Sequence, residues 1–305
     1  MHTPLSAPFP WFGGKRRIAP LIWSRFGSCA TYIEPFAGSL ATLLARPSPQ
    51  GTEIVNDLDC YVANFWRALQ RDPEAVAWLA DYPVNEVDLV ARNAWLIRQN
   101  RFREQIREDP DWCDLKVAAW WVWGIAQWIG SGFCDPSRPA PAKKLPHLVS
   151  GAGVHRRSLA DVPGGLDAWF VALGARLRGV RVACGDWSRV LSRAVIQEGP
   201  VGIMLDPPYS SDEHGISYSA GSGDVADQVR AWAIEHGDRL DLRIALCGYA
   251  GEHAMPPSWE EVAWKANGGY GNRADGRGRA NADRERVWFS PGCQKMASND
   301  LFSDF

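Results

Sequence analysis

Directly after the apolar run Val201-Gly202-Ile203-Met204-Leu205 stand Asp206, Pro207, Pro208 and Tyr209. A carboxylate at the end of a buried strand, two prolines that stiffen the following turn and an aromatic ring beside them would form a rigid acceptor pocket for a flat molecule bearing an amino group. Taken alone, the same aspartate could simply cap a helix.

Three further strand ends carry groups suited to a nucleoside-like ligand, because in a doubly wound sheet ligands bind beyond the carboxyl ends of the strands. They are Glu34-Pro35-Phe36-Ala37-Gly38-Ser39, Asn56-Asp57 and Gly185-Asp186-Trp187. Gly38 would let the backbone approach closely, Asp57 would take two ribose hydroxyls, and Asp186 with Trp187 would hold an adenine by hydrogen bonding and packing. A cofactor containing adenosine is implied. Neither a GxGxxG nor a GxxxxGK[ST] pattern accompanies the turn, so that cofactor need not carry phosphates. Each residue also has a plain reading: Gly38 as a tight turn, Asp57 and Asp186 as caps of the helices that follow them.

The elements that must position these groups follow an α/β pattern. Tyr32 to Phe36 reads as a strand, Gly38 as its turn and Leu40 to Leu44 as a helix; Glu53 to Asp57 is a second strand and Tyr61 to Trp66 a second helix, completing one βαβ unit. Between about residues 72 and 161 the alternation gives way to helical segments rich in Trp and Arg, then to a proline-rich stretch. Strands return at Gly179–Cys184, Val201–Leu205 and Leu242–Cys247, and Glu261–Ala266 with Arg286–Ser290 predicts an antiparallel hairpin closing the sheet. The expected organisation is a catalytic α/β domain in two parts, 1–71 and 162–305, interrupted by a mostly helical insertion over 72–161. Trp120, Trp121, Trp123 and Trp128 fall at helical spacing and are expected to pack in a core.

Composition narrows the classes. With a net charge of −2 over 305 residues, the chain as a whole does not advertise a polyanion partner. Its seven cysteines show no CxxC spacing and no secretory leader precedes them, which points to a reducing, cytoplasmic setting without structural zinc. No apolar run approaches the roughly 20 residues needed to cross a bilayer. The histidines form no metal or nucleophile set, so no metal site is expected. Local charge is uneven: Arg138, Lys143, Lys144, Arg156 and Arg157 occur from Pro136 to Ala160 without an acid, and Arg273, Arg277, Arg279, Arg284 and Arg286 form a second basic stretch diluted by Asp275, Asp283 and Glu285. Both stretches read either as solvated loops or as contacts to a phosphate backbone.

In their order along the chain, Pro10-Trp11-Phe12-Gly13-Gly14-Lys15, Glu34 to Ser39, Asn56-Asp57, Gly185-Asp186 and Asp206 to Tyr209 resemble the motifs of Dam-like (D12 class) DNA adenine-N6 methyltransferases. The resemblance implies a Rossmann-like sheet that uses S-adenosylmethionine, with Trp11 to Lys15 and Glu34, Pro35, Phe36 and Gly38 around its methionine end. It further implies Asp57 at the ribose, Asp186 and Trp187 at the adenine, and Asp206, Pro207, Pro208 and Tyr209 at a target base flipped out of double-stranded DNA, Asp206 also adjoining the cofactor. A purine amine is a poor nucleophile because its lone pair delocalises into the ring. Asp206 and the Pro207 carbonyl would favour its pyramidal, attacking form, while Tyr209 stacks on the base and the prolines fix the geometry. Lys15 has two readings, a contact to the target or a neighbouring backbone, or a pairing with an acid at the surface.

The same resemblance makes 72–161 the target-recognition region, with Lys143, Lys144, Arg156 and Arg157 on phosphates and no obligate protein partner. The chain departs from the pattern at Cys134-Asp135-Pro136, where relatives continue from the phenylalanine in an Asn-Val-Pro-like way, so recognition of GATC is not implied. It departs again at Leu40, where many relatives carry a second glycine. Cytosine-N4 methylation, a non-catalytic relative that binds the cofactor or DNA, and a methyltransferase acting on RNA or protein are the rival readings.

Overall fold

The computed structural model describes residues 5–11, 14–129, 132–137, 165–196, 199–209, 222–265 and 283–295. Its strands are β1 (Thr31–Glu34), β2 (Thr52–Asp57), β3 (Val180–Cys184), β4 (Val201–Leu205), β5 (Leu242–Tyr249), β6 (Glu260–Ala263) and β7 (Glu285–Phe289). They form one mixed sheet in the order β3-β2-β1-β4-β5-β7-β6. β1 is parallel to β2 and β4, and β4 to β5, whereas β7 is antiparallel to both β5 and β6. The expected closing hairpin is therefore present as β6 and β7. All residues of β1 and β4 are buried, and β4 is the continuous apolar run that a covered, parallel strand requires.

The chain divides into two compact units. The first comprises Met1–Trp11, Ala37–Ser39 and Asn56–Asp186. It contains α3 (Cys60–Arg71), α4 (Pro73–Ala80), α5 (Glu86–Ile97), α6 (Asn100–Glu108), α7 (Leu115–Gln127) and α8 (Gly165–Leu177) together with β3. The unit is thus broader than the 72–161 segment read as an insertion. Side chains of Asp59, Asp72, Asn85 and Asp114 accept hydrogen bonds from the first turns of α3, α4, α5 and α7, which fixes where each helix begins. Phe9, Phe65, Trp66 and Trp121 pack ring on ring at the centre. Of the four tryptophans expected in a core, Trp121, Trp123 and Trp128 are buried. Trp120 is half-buried, with the Arg92 guanidinium and the Lys116 ammonium over its ring. Arg67 ties helices to sheet by donating to the carbonyls of Val182, Ile106 and Asp109.

The second unit, Phe12–Phe36, Leu40–Val55 and Trp187–Phe305, holds most of the sheet with α1 (Ala19–Phe26), α2 (Ala41–Leu44) and α9 (Ser222–His236). β1 has β2 on one side and β4 on the other, so the strand order reverses beside β1 and opens a crevice past the carboxyl ends of β1 and β4. Arg46 pins the chain entering β2: it pairs with Glu53 at 3.0 Å and donates to the carbonyls of Cys29 and Gln50. Both partners are buried, and removing one would leave an uncompensated charge costing about 3–5 kcal/mol. Leu40 occupies the left-handed region at φ 54° yet is fully buried. Burial of the leucine, worth about 1.5–3 kcal/mol, offsets a backbone cost of about 1–2 kcal/mol, which is why a side chain persists at a position that suits glycine.

Candidate active site

β4 delivers Asp206 to the crevice. Its Oδ1 lies 2.8 Å from the Lys15 ammonium and 3.2 Å from the Tyr209 hydroxyl. Oδ2 has no partner among the described residues, and the side chain is 24% exposed, so one oxygen is anchored while the other is presented. Pro207 is buried; Pro208 and Tyr209 are half-buried. Lys15 precedes α1 and is only 4% exposed. Burial by itself would lower its ammonium, but Asp206, with Cys247 and Glu285, raises it above the usual lysine value. The ammonium also lies over the rings of Tyr209 at 5.2 Å and Trp264 at 5.8 Å. Of the two readings of Lys15, pairing with an acid is the one observed, but the pair is interior and the acid is Asp206.

Tyr209 reaches a second carboxylate. Its hydroxyl is 3.0 Å from Oε2 of Glu285, the first residue of β7, and its ring meets Tyr249 edge-on at 4.6 Å. Burial and the Asp206 charge raise the Tyr209 phenol well above its usual value. Burial also raises Glu285, with Lys15 opposing and Asp206 adding to the rise. Antiparallel pairing of β7 with β5 sets Glu285 opposite Tyr249 and thereby into this group. In the sequence Glu285 reads as one of three acids diluting a basic loop; the structure makes it a buried strand residue. Only the register of the returning strand, which no local motif encodes, could have found it.

Glu34 ends β1, is buried, and accepts a hydrogen bond from the Tyr32 hydroxyl at 3.0 Å. Pro35 is buried beside it, and the half-buried Phe36 stacks at 25° on Trp187, with centroids 6.3 Å apart. Trp187 is itself buried and packs against Trp232, so its ring is largely committed to the protein.

In the first unit the glycine turn and Asp57 are joined. Gly38, at φ 44°, donates its N–H to Oδ2 of Asp57 at 2.8 Å, and its carbonyl accepts from the Trp66 indole at 2.9 Å. A Cβ at Gly38 would overlap the half-buried Trp11 indole, so glycine is required there both for φ and for space. Asp57 Oδ1 accepts from the Asp59 N–H at 2.9 Å, and it is Asp59, not Asp57, that caps α3. Burial and the neighbouring Asp59 push Asp57 up to about 7, against three backbone N–H groups that lower it. Asn56 donates to the Gly185 carbonyl and Gly185 to the Asp57 carbonyl, each at 3.0 Å, which brings the ends of β2 and β3 together. Asp186 follows at the end of β3 and is exposed.

Lys143, Lys144, Arg156 and Arg157 lie outside the described residues, as do Arg273, Arg277 and Arg279. Among the described residues no group of histidine, cysteine and acidic side chains is arranged to hold a metal ion, and no helix is long and apolar enough to cross a membrane. A cavity of about 290 Å³ opens beside Trp264, lined by Arg17, Ile18, Ala263, Lys265 and Asp283.

The seven-stranded, mostly parallel sheet with acids at its carboxyl ends is consistent with a Rossmann-like methyltransferase fold. Residues 11–109 match the family model of the D12 class N6 adenine-specific DNA methyltransferase, a segment that holds Lys15, Glu34 to Gly38 and Asp57. That class implies an adenine-specific DNA methyltransferase acting on DNA. Asp186 and Asp206 to Tyr209 lie beyond the matched segment. No curated protein matches the chain.

Proposed function

We propose that the protein transfers the methyl group of S-adenosylmethionine to the N6 amine of an adenine flipped out of double-stranded DNA. The observation that carries this reading is the split environment of Asp206, one oxygen held by Lys15 and Tyr209, the other without a partner among the described residues on a side chain that is 24% exposed. A carboxylate so held accepts a hydrogen bond from the amine along a fixed direction and draws its lone pair out of the ring, leaving orientation to supply much of the rate. The Pro207 carbonyl is the second acceptor, and the Tyr209 ring lies against the base.

The residues present fit the methyl donor by their chemistry. Glu34, Asp57 and Asp186 stand at strand ends where a phosphate would be repelled and where hydroxyl, amino and ammonium groups find acceptors. Asp57 takes the ribose hydroxyls and Asp186 the adenine; Trp11, Lys15, Pro35, Phe36, Gly38 and Trp187 complete the cofactor-binding set. S-adenosylmethionine supplies an electrophilic methyl carbon on a sulfonium. Taking the base out of the stack costs a few kcal/mol, which contacts to the DNA backbone offset; Lys143, Lys144, Arg156 and Arg157 and the 72–161 segment are assigned to those contacts.

Tritiated S-adenosylmethionine, duplex DNA and nucleoside analysis of the product test the reading. Label in N6-methyladenine, lost in Asp206→Ala, is expected. Label found only in N4-methylcytosine would overturn the adenine assignment, and full transfer by Asp206→Ala would remove Asp206 from the chemistry.

A further inference from the structure

The Tyr209 hydroxyl has one hydrogen and two carboxylate neighbours, Oδ1 of Asp206 at 3.2 Å and Oε2 of Glu285 at 3.0 Å. With both acids ionised it can donate to only one of them. The other contact becomes a hydrogen bond when that carboxyl carries a proton and donates to the phenol oxygen. The three groups therefore form a continuous line along which one proton can move. The two ends differ: Asp206 is in contact with the Lys15 ammonium, whereas Glu285 has no ion pair among the described residues and bonds only the neutral hydroxyl.

Methylation of an amine makes the line useful. As the N6 lone pair forms the bond to the methyl carbon and the carbon–sulfur electron pair returns to sulfur, the nitrogen becomes positive and must shed one proton. Asp206 is the acceptor within reach. We infer that Glu285 is a positioning residue that takes this proton over: Oδ2 of Asp206 takes it from the amine, the now neutral carboxyl turns about its Cβ–Cγ bond and brings that hydrogen to the Tyr209 oxygen, and the Tyr209 hydrogen moves to Oε2 of Glu285. Asp206 returns to its ion pair with Lys15, the phenol is regenerated, and the proton rests on the group that lacks a cation. Atoms and charge balance with no additional reactant, and Glu285 later yields the proton to solvent. Burial, which raises the Glu285 carboxyl, favours it as the resting place.

The inference rests on the methyltransferase reading above. The relay needs Glu285 ionised before transfer, so the rate must fall as pH drops through the Glu285 value. The titratable and charged groups facing Glu285 are Lys15 ahead of α1, Asp206 and Tyr209 after β4, and Cys247, Tyr249 and Glu252 on and after β5. None of these is removed by Glu285→Gln, which still accepts the Tyr209 hydrogen bond and cannot take the proton.

Single-turnover methyl transfer to duplex DNA is measured from pH 5 to 9 for the wild type, Glu285→Gln and Tyr209→Phe, with S-adenosylmethionine binding by calorimetry alongside. Both variants are expected to bind the donor as the wild type does, to transfer about 10- to 100-fold more slowly, and to lose the more alkaline of the acid-side breaks in the rate profile. Glu285→Asp, with a shorter carboxylate, is expected to restore that break at a shifted pH. An unchanged acid-side break in Glu285→Gln overturns the relay, as does a slowed Glu285→Gln that keeps the break, which marks a packing role alone. If Glu285→Gln does not fold, Tyr209→Phe decides by the same criterion. Wild-type protein that moves no methyl group to adenine defeats the underlying reading, whereas an active wild type with an unaltered variant profile defeats only the relay.

Discussion

Two carboxylates at the ends of parallel strands, Asp206 after β4 and Asp57 at the end of β2, have opposite surroundings. Asp206 is held through one oxygen by a buried ammonium and a phenol. Asp57 accepts only backbone N–H groups, and its charged neighbour is another acid, Asp59. An acid anchored by a cation keeps its direction without a ligand, which suits a group that must meet a reacting amine in a set geometry. An acid anchored by backbone alone bears its charge at a cost until neutral donors arrive, which suits a pair of hydroxyls.

Removing the cation gives the largest expected effect. Lys15→Met keeps the bulk and the contact to Tyr209 and Trp264 but strands Asp206 without its counter-ion. Single-turnover transfer is expected to fall by about 10²–10³-fold, with S-adenosylmethionine affinity changed far less. A variant that transfers at wild-type rate would show that Asp206 does not need the ion pair. Because the folded Lys15 value is raised, its contribution to stability is complete below the ordinary lysine value of 10.5 and is lost only as pH rises beyond it. The wild-type ion pair therefore adds no pH dependence to stability across the neutral range.

Asp57 is expected to behave in the same sense, but within the neutral range. Its value in the folded protein is raised to about 7, so its contribution to the stability of the ligand-free protein is complete below the ordinary carboxylate value of 3.8 and is lost as pH rises through 7. Ribose hydroxyls donate to the ionised form, so donor binding releases a proton below pH 7 and weakens as the solution is acidified. Calorimetric titration with S-adenosylmethionine is expected to show affinity falling by up to about tenfold per pH unit below that point. Asp57→Asn should bind more weakly and without this slope. A slope that survives in Asp57→Asn would assign the proton to another group and undo the contrast with Asp206.

The sequence makes some of this arrangement legible and hides the rest for identifiable reasons. β4 and Asp206 to Tyr209 are readable because a parallel, covered strand is a continuous apolar run and the prolines mark its end. The β1-turn-α2-β2 unit is readable for similar reasons, including an acid at the end of β2. The partners of these acids are not local. Lys15 reaches Asp206 across 191 residues of sequence (206 − 15), and Glu285 reaches Tyr209 across 76. Charge patterning places Glu285 in a diluted basic loop, and only the antiparallel register of β7 on β5 turns its side chain inward. Asp57 and Asp59 show the limit at shorter range. Both sit before α3 with capping chemistry, and the hydrogen bond from the Tyr61 N–H alone tells which one is the cap.

That division of labour yields the smallest and most discriminating effect. Asp59 adds to the rise of Asp57 second only to burial, yet it is solvent-exposed, so its influence is screened. Asn at 59 keeps an oxygen for the Tyr61 N–H and is as good a cap as aspartate, so helix α3 should form unchanged. Asp59→Asn is then expected to lower the pH at which donor affinity begins to fall, by less than about one unit at low salt, and by less still at high salt. Thermal stability at pH 5 should match the wild type. The direction is fixed by the charge removed: losing a neighbouring negative charge favours the ionised Asp57 and extends tight binding to lower pH. A break that stays where it was would attribute the whole rise to burial. A break that moves upward would mean that Asp57 does not sense Asp59 as an acid at all, and the contrast between a cation-held and a backbone-held carboxylate would have to rest on Asp206 alone.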